Sequence, residues 1–315
     1  MVDEASVITI DCDYVYPQAA AAYLIVEGDR AAFVENNTAH AVPRLLAALD
    51  RQGLTPEQVE YAIITHVHLD HAGGTSALLA ACPNATVLAH PKAARHVIQP
   101  ERLVESSRAV YGPEVFEKLY GEIHPVPAER VRTMQDGEEL KFGERILRFI
   151  YTRGHADHHF CIFDTKSRGI FTGDSFGIGY VDLQSAGPFL YPSTTPTQFH
   201  ADEARKSVRL IRESGAERAY LTHFGAFEDM AAGEEQMLRG LDAMEALFES
   251  ARDGGLEGDA LQHDCEAGVR SYFEEKLKRH KLTLNDNQWR LLGLDIGINA
   301  MGIAYAAGRA RRKAD

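Results

Sequence analysis

The sequence predicts an α/β fold, and three observations predict it. Short runs rich in β-branched residues, such as "VEYAIITH" and "RAYLTHFG", alternate with stretches whose apolar residues recur at helical spacing, such as "AVPRLLAALDRQGL". Four apolar runs end in a histidine or an aspartate, at His66, His155, Asp174 and His223. From about Gly233 to the end, the pattern is helical throughout.

Each element has its own local reason. "AAYLIVEG" and "AAFVENN" are apolar runs joined by "GDR", which suits a hairpin. "AVPRLLAALDRQGL" stops at Gly53, a helix C-terminal signal. "VEYAIITH" is a buried strand delivering a histidine loop, and "GGTSALLAACP" is a helix opening near Thr75 and ended by Pro83. "TVLAHP" is a further strand. Residues 92–122 are helical with breaks at Pro100 and Pro113. "EELKFGERILRFIYTRGH" is a strand pair turning at Gly143, and "HFCIFDTKSRGIFTGDS" is a second pair turning near Ser167 to Gly169. A helix over residues 201–214 leads to "RAYLTHFG". The helical last third is broken by "DGGLEG", residues 253–258, the expected linker. Its final helix carries Gly293 and Gly297 four apart. Arg290, Asp295 and Asn299 make that helix a poor membrane span, so it reads as a packed one.

Bulk properties narrow the function. With 315 residues, 45% hydrophobic and 25% charged, the chain has the profile of a globular protein of one large or two modest domains. A net charge of −13 works against a nucleic-acid partner, which needs clustered cations. The one basic cluster, "GRARRKAD", reads as favourable charge at a helix C-terminus. The N-terminal stretch "MVDEASVITIDCDYVYP" lacks a signal peptide's basic and apolar regions, and no uninterrupted apolar run reaches membrane-span length. Cys12, Cys82, Cys161 and Cys265 are scattered singly, which argues against a disulfide framework or zinc knuckle. A cytoplasmic protein without a membrane or nucleic-acid partner is therefore expected.

The chemistry concentrates in "AIITHVHLDHAGG". A lone strand-end histidine is ordinarily a surface or capping residue; three in six positions, with an aspartate among them, reverse that reading. Imidazole and carboxylate are ligands for zinc, iron or manganese. In an extended loop His66 and His68 point the same way and can reach one ion. Asp70 and His71 project toward a second ion beside it, and Gly73 and Gly74 are expected to let the backbone turn tightly and leave space there. With His155, Asp174 and His223 these make seven N/O ligands, enough for two ions if Asp174 bridges.

These motifs resemble the metallo-β-lactamase superfamily. "HVHLDH" is similar to its H-x-H-x-D-H signature, "GHADHH" to its next histidine motif, "FTGDS" to its bridging-aspartate motif and "LTHFG" to its last histidine motif. The resemblance runs from the N-terminus to about residue 245. It implies an αββα sandwich domain over residues 1–245, followed by a C-terminal helical extension over 246–315. It also implies ligands: His66, His68 and His155 for one ion, Asp70, His71 and His223 for the other, with Asp174 shared. His159 falls where many members carry a histidine near the substrate, and His158 where many have glycine. Two positions depart from the pattern. The usual D-T-G appears as "ENN", Glu35 to Asn37, and Thr222 replaces a frequent glycine.

Two cations about 3.5–4 Å apart can lower the pKa of a shared water to about 7. The expectation is a dinuclear hydrolase, its ions zinc with iron or manganese as alternatives. A bridging hydroxide would attack an ester, thioester or lactone, and Asp70 would serve as the catalytic proton carrier. "TGDSFG" lacks the G-x-S-x-G elbow, so Ser175 is not read as a nucleophile. Candidates for substrate contact are His159 and, in the loop after Asp174, Phe176, Tyr180, Phe189 and Tyr191, though each of these four aromatics reads more readily as packing than as contact. The competing readings are a mononuclear iron persulfide dioxygenase and a non-catalytic metal-binding sensor. The partner expected is a small-molecule substrate, with a homodimer through the C-terminal helices as a further expectation.

Overall fold

Strand alternation and parallel register set the architecture of the computed structural model, which describes residues 7–194 and 199–314. Its contacts divide into two compact units. The first takes in residues up to Tyr151, His158–Gly173 and Ser214–Glu228. It holds two mixed six-stranded sheets. In one, β1 (Val7–Asp11), β2 (Ala21–Glu27), β3 (Arg30–Val34), β4 (Val59–Ile63), β5 (Thr86–Ala89) and β6 (Val131–Thr133) are neighbours in chain order. The first three are antiparallel, and β3 to β6 run parallel. In the other, β7 (Glu139–Phe142), β8 (Arg145–Tyr151), β9 (Phe160–Asp164), β10 (Gly169–Gly173), β11 (Arg218–Leu221) and β12 (Gly225–Phe227) are also neighbours in chain order. Only β10 and β11 pair in parallel there.

The parallel strands of the first sheet require crossovers, and helices supply them. These are α1 (Val42–Arg51), α2 (Leu69–Ala72), α3 (Thr75–Ala81), α4 (Pro91–Ile98), α5 (Glu101–Tyr111) and α6 (Pro113–Tyr120). Pro91 and Pro113 open their helices at the first position, where a missing N–H costs nothing. Side chains alternate across the first sheet. Tyr23, Ile25 and Val34 point into a layer shared with Phe142, Phe149, Phe160 and Phe171 of the second sheet. Ala22, Leu24 and Phe33 point the other way, against Leu45, Leu78 and Val97 of α1, α3 and α4. The expected α/β class with two mixed sheets and a C-terminal helical region stands.

One charged cluster lies inside the first unit. Arg145 has no exposed surface; it donates to Glu27 Oε2 at 3.0 Å and to the Asp164 carboxylate. Lys166 Nζ reaches Glu27 Oε1 at 3.0 Å. Gly143 turns the strand pair with a left-handed φ of +61°, and a Cβ there would lie 2.2 Å from Glu27 Cγ.

The second unit comprises Thr152–Asp157, Asp174–Glu213 and residues from Asp229 onward. Its helices are α7 (Ala201–Glu213), α8 (Met230–Asp253), α9 (Gly258–His280) and α10 (Asp286–Ala314). The break between α8 and α9 falls within the expected linker, and Arg311 of α10 donates there to the carbonyls of Arg252 at 2.9 Å and Leu256 at 2.6 Å. By length and composition α10 could cross a membrane, with half of the relevant window buried. Its polar residues are used inward. Asp295 Oδ2 accepts from Tyr191 Oη at 3.1 Å, and Asn299 Oδ1 accepts from Thr194 Oγ1 at 2.7 Å.

Lys276 of α9 is also buried, its ammonium donating to Gln236 Oε1 at 2.7 Å and lying 4.7 Å from the centre of the Phe189 ring. Burial, with Arg279 and Arg239 adding repulsion, pushes its pKa down to about 7. The four cysteines are free and buried; burial pushes Cys12 up to about 12 and Cys82 and Cys265 up to about 11.

Removing Arg145 would leave the buried Asp164 carboxylate without its cation and Glu27 with Lys166 alone. Arg145→Ala is expected to cost about 3–5 kcal/mol in urea unfolding, and adding Glu27→Gln and Asp164→Asn should recover part of the loss. Because the folded pKa of Lys276 lies below the ordinary 10.5, the unfolded chain binds the extra proton between those values. Its contribution to stability therefore rises with pH from about 7 to 10.5. Lys276→Met should flatten that rise in denaturation curves taken across the window.

Candidate metal centre

Parallel pairing brings strand ends to a common edge, and the first unit's candidate ligands sit there. Val34, the last residue of β3, is in register with Ile63, the last of β4. Glu35 and Thr65 follow at once. The loop then runs His66, Val67, His68 into α2, which carries Asp70 and His71. His66 Nε2 lies 2.8 Å from His68 Nδ1, so the two imidazoles do converge as their spacing predicts. β11 ends at Leu221 and delivers His223 one residue beyond Thr222.

Asp70, His71 and His223 meet at one corner. Asp70 Oδ2 is 3.7 Å from His71 Nε2 and 3.5 Å from His223 Nε2, and the three ligand atoms lie within 4.8 Å of one another. Each ring is held by its far nitrogen. His71 Nδ1 is 2.9 Å from Glu35 Oε1, His223 Nδ1 is 2.7 Å from Ala19 O, and His66 Nδ1 is 3.0 Å from Thr65 Oγ1. Two imidazole nitrogens and one carboxylate oxygen, with the outer nitrogens tied down, form a donor set that fits a zinc-type cation. Glu35, His66 and His71 also offer ligand atoms within the same mutual distance.

Glu35 is the functional residue that motif reading passed over. Its carboxylate accepts from the Thr65 amide at 3.2 Å, the Thr65 hydroxyl, the Thr222 hydroxyl at 3.2 Å and His71 Nδ1. The two departures from the family pattern, Glu35 and Thr222, are thus one contact. Glu35 and Asn37 both have left-handed backbone, with φ of +62° and +54°, a conformation that non-glycine residues rarely take. The loop they form clamps the histidine loop. Asn36 N donates to His71 O at 3.0 Å, Asn37 Nδ2 to Asp70 O at 2.8 Å, and Asn36 Nδ2 to Thr75 Oγ1 at 2.9 Å. A signal was present in the sequence: "AAFVE" is a fifth apolar run ending in a ligand-type residue.

The glycine pair needs a correction. Gly73 and Gly74 have ordinary helical backbone, so tight turning is not their reason. A Cβ on Gly74 would lie 2.6 Å from Asn36 O and 2.7 Å from Thr38 O. The pair lets the start of α3 lie against the 36–38 backbone. Gly173 of the "FTGDS" motif is required likewise, since its Cβ would lie 2.4 Å from His159 Nε2 and 2.6 Å from Thr65 Oγ1. His159 is fully buried, its ring 4.9 Å from that of His66. His158 stacks 6.1 Å from His66 and stands 5.8 Å from His68, filling space that glycine would leave open.

The second unit carries His155 and Asp174, both buried, with Nε2 3.2 Å from Oδ2. His155 Nδ1 lies 3.3 Å from Ser193 O. A small cleft opens at this pair, lined also by Arg153, Ser175, Ser193, Phe199 and Met237. The four aromatic candidates for substrate contact are packed, the reading favoured for each of them. Phe176, Phe189 and Tyr191 have no exposed surface, Tyr180 has 7%, and Tyr191 is tied to Asp295. Ser175 Oγ donates to Thr152 O at 3.4 Å.

The family model of the metallo-β-lactamase superfamily matches residues 16–223. The chain is 24% identical over 227 residues to a metallo-β-lactamase fold-containing protein of Sulfurisphaera tokodaii, covering 70% of this chain and 80% of that one. It is 30% identical over 132 residues to a hydroxyacylglutathione hydrolase of Francisella tularensis subsp. novicida, a match spanning 41% of this chain and only 40% of that relative's length. Among solved structures, an archaeal metallo-β-lactamase superfamily protein from Sulfolobus tokodaii has a TM-score of 0.66 at 20% identity, covering 95% of this chain and 98% of that one. A metallo-β-lactamase family protein from Thermus thermophilus has a TM-score of 0.64 at 22% identity, covering 98% and 93%. These structural likenesses show the fold.

If Glu35 orients His71, Glu35→Gln should weaken divalent-metal binding by about 10–100-fold in competition titrations. Thr222→Val, which removes one of several bonds to the same carboxylate, should weaken it less. Unchanged affinity in Glu35→Gln would refute the orienting role.

Proposed function

The chain belongs to the metallo-β-lactamase superfamily, and on that premise we propose that it is a metal-dependent hydrolase cleaving an ester, thioester or lactone. The observation that carries the reading is the corner of Asp70, His71 and His223, whose ligand atoms converge while both rings are held from behind. The superfamily's ligand pattern supports the fuller proposal: His66, His68 and His155 for one ion, Asp70, His71 and His223 for a second, and Asp174 for both, with zinc as the metal. Two such ions, when bound, supply a water acidic enough to react at neutral pH.

The chain's own residues account for the rest. Asp70 is the one member of the corner with substantial exposure, its side chain 26% accessible against none for His71 and 8% for His223. It is therefore the group placed to pass a proton to a departing alcohol or thiol. In the second unit, Arg153, Ser175 and Ser193 give the cleft at His155 and Asp174 a polar side, and Phe199 and Met237 an apolar one. That mixture suits a small acyl group bearing a polar handle. The partial likeness to hydrolases named for hydroxyacylglutathione supports acyl cleavage over phosphodiester cleavage. The acidic balance of the chain points the same way, and a cytoplasmic setting is part of the proposal.

Elemental analysis of purified protein, paired with a panel of ester, thioester, lactone and phosphodiester substrates, tests this reading. About two zinc ions per chain are expected, with acyl hydrolysis abolished by chelation and restored by metal. Asp174→Ala should lose metal and hydrolysis together while its circular dichroism is unchanged. A single iron with oxygen uptake on a persulfide would overturn the proposal, as would full hydrolysis by Asp174→Ala.

A further inference from the structure

Helix α10 carries two buried polar side chains one turn apart, Asp295 and Asn299. Asparagine is a poor helix former, and a buried amide is costly unless it is bonded. Both residues turn their oxygens to one short segment, residues 191–194. Asp295 Oδ2 accepts from Tyr191 Oη at 3.1 Å. Asn299 Oδ1 accepts from Thr194 N at 2.5 Å and from Thr194 Oγ1 at 2.7 Å.

The bond to Thr194 N leads to a candidate ligand through a single peptide group. Thr194 N–H and Ser193 C=O belong to the same planar unit, and that peptide is trans, so the two point in opposite directions. With the N–H fixed on Asn299, the carbonyl is aimed away from α10, and His155 Nδ1 lies 3.3 Å from its oxygen. A carbonyl only accepts, so Nδ1 of His155 carries the proton. Nε2, which lies 3.2 Å from Asp174 Oδ2, is then the atom offered to a cation. The bond at the N–H also polarises the peptide and makes its carbonyl the stronger acceptor. Tyr191 is fixed as well, exchanging backbone bonds with Ile178 at 2.9 and 3.2 Å, so the segment is held on the near side of Ser193 too.

We propose, on the reading of His155 as a metal ligand, that Asn299 is a positioning residue: through the peptide between Ser193 and Thr194 it sets the ring of His155. Asp295 supports the same segment through Tyr191. A helix held here by packing alone would need no acceptor at position 299. Leucine would fill the same volume and leave the peptide N–H unbonded.

Zinc titration of the full chain against a competing chelator tests the proposal. Asn299→Leu should weaken one of the two expected zinc-binding steps by about 10-fold and leave the other within about 2-fold. Asn299→Asp keeps an acceptor oxygen and should return the weakened step to within about 3-fold of wild type. His155→Ala should weaken that same step further. Asn299→Ala, the better helix former, carries the same expectation where Asn299→Leu does not fold. A magnetic-resonance readout separates orientation from packing. In zinc-loaded protein with isotope-labelled histidine, His155 Nδ1–H should give a slowly exchanging signal that His155→Ala lacks. Its exchange should quicken in Asn299→Leu and stay slow in Asn299→Asp. Three results would each overturn the proposal alone: no protected His155 Nδ1–H in the wild type, unchanged zinc affinity in a folded Asn299→Leu beside a loss in His155→Ala, or equal weakening of both steps. Wild-type affinity in His155→Ala would overturn the ligand reading and the positioning role together. Circular dichroism matching the wild type establishes that each variant keeps its fold.

Discussion

The first unit's site depends on one buried carboxylate. Glu35 accepts from three residues on two segments: Thr65 and His71 after β4, and Thr222 after β11. It has 1% of its surface exposed, so water does not compete for these bonds. An acceptor buried this completely would be costly without donors, and donors are supplied from every side. Its bond to His71 Nδ1 orients that ring toward the corner with Asp70 and His223.

Rigid elements put the carboxylate in place. The strands leading into it are nearly all buried on both faces, and the backbone of residues 35–37 holds strained left-handed conformations by hydrogen bonding to the histidine loop. Strain of this kind survives only where surrounding contacts over-determine it. The tight packing at Gly74 and Gly173 is the same constraint seen from the other side, because any side chain at either position would displace a ligand-bearing loop. The site is therefore built by mutual exclusion as much as by attraction.

Much of this was legible in the chain. Strand-end histidines announced the candidate ligands because metal ligands are chemically rare in apolar runs, and their spacing fixed which could share a loop. Long elements such as α1 and β8 announced themselves through periodicity. β1, β6, β12 and α2 did not: the three strands are mostly half-buried or exposed and lack the buried apolar run that made β5 and β11, equally short, legible. The aromatic residues after Asp174 were ambiguous for a different reason: hydrophobicity signals burial and binding alike, and in the second unit Phe176 and Tyr191 are buried.

Residue type and order by themselves determined the α/β class, the superfamily and the set of candidate ligands, because those rest on local period and on chemistry that each side chain brings with it. Only the tertiary structure decided that Glu35 and Thr222 act together, that Gly74 serves an approach between loops, and that Asp295 and Asn299 of α10 turn inward to Tyr191 and Thr194. Each of these is a relation between segments far apart in the chain. No local pattern encodes it, because what matters there is which atoms the folded backbone brings within reach.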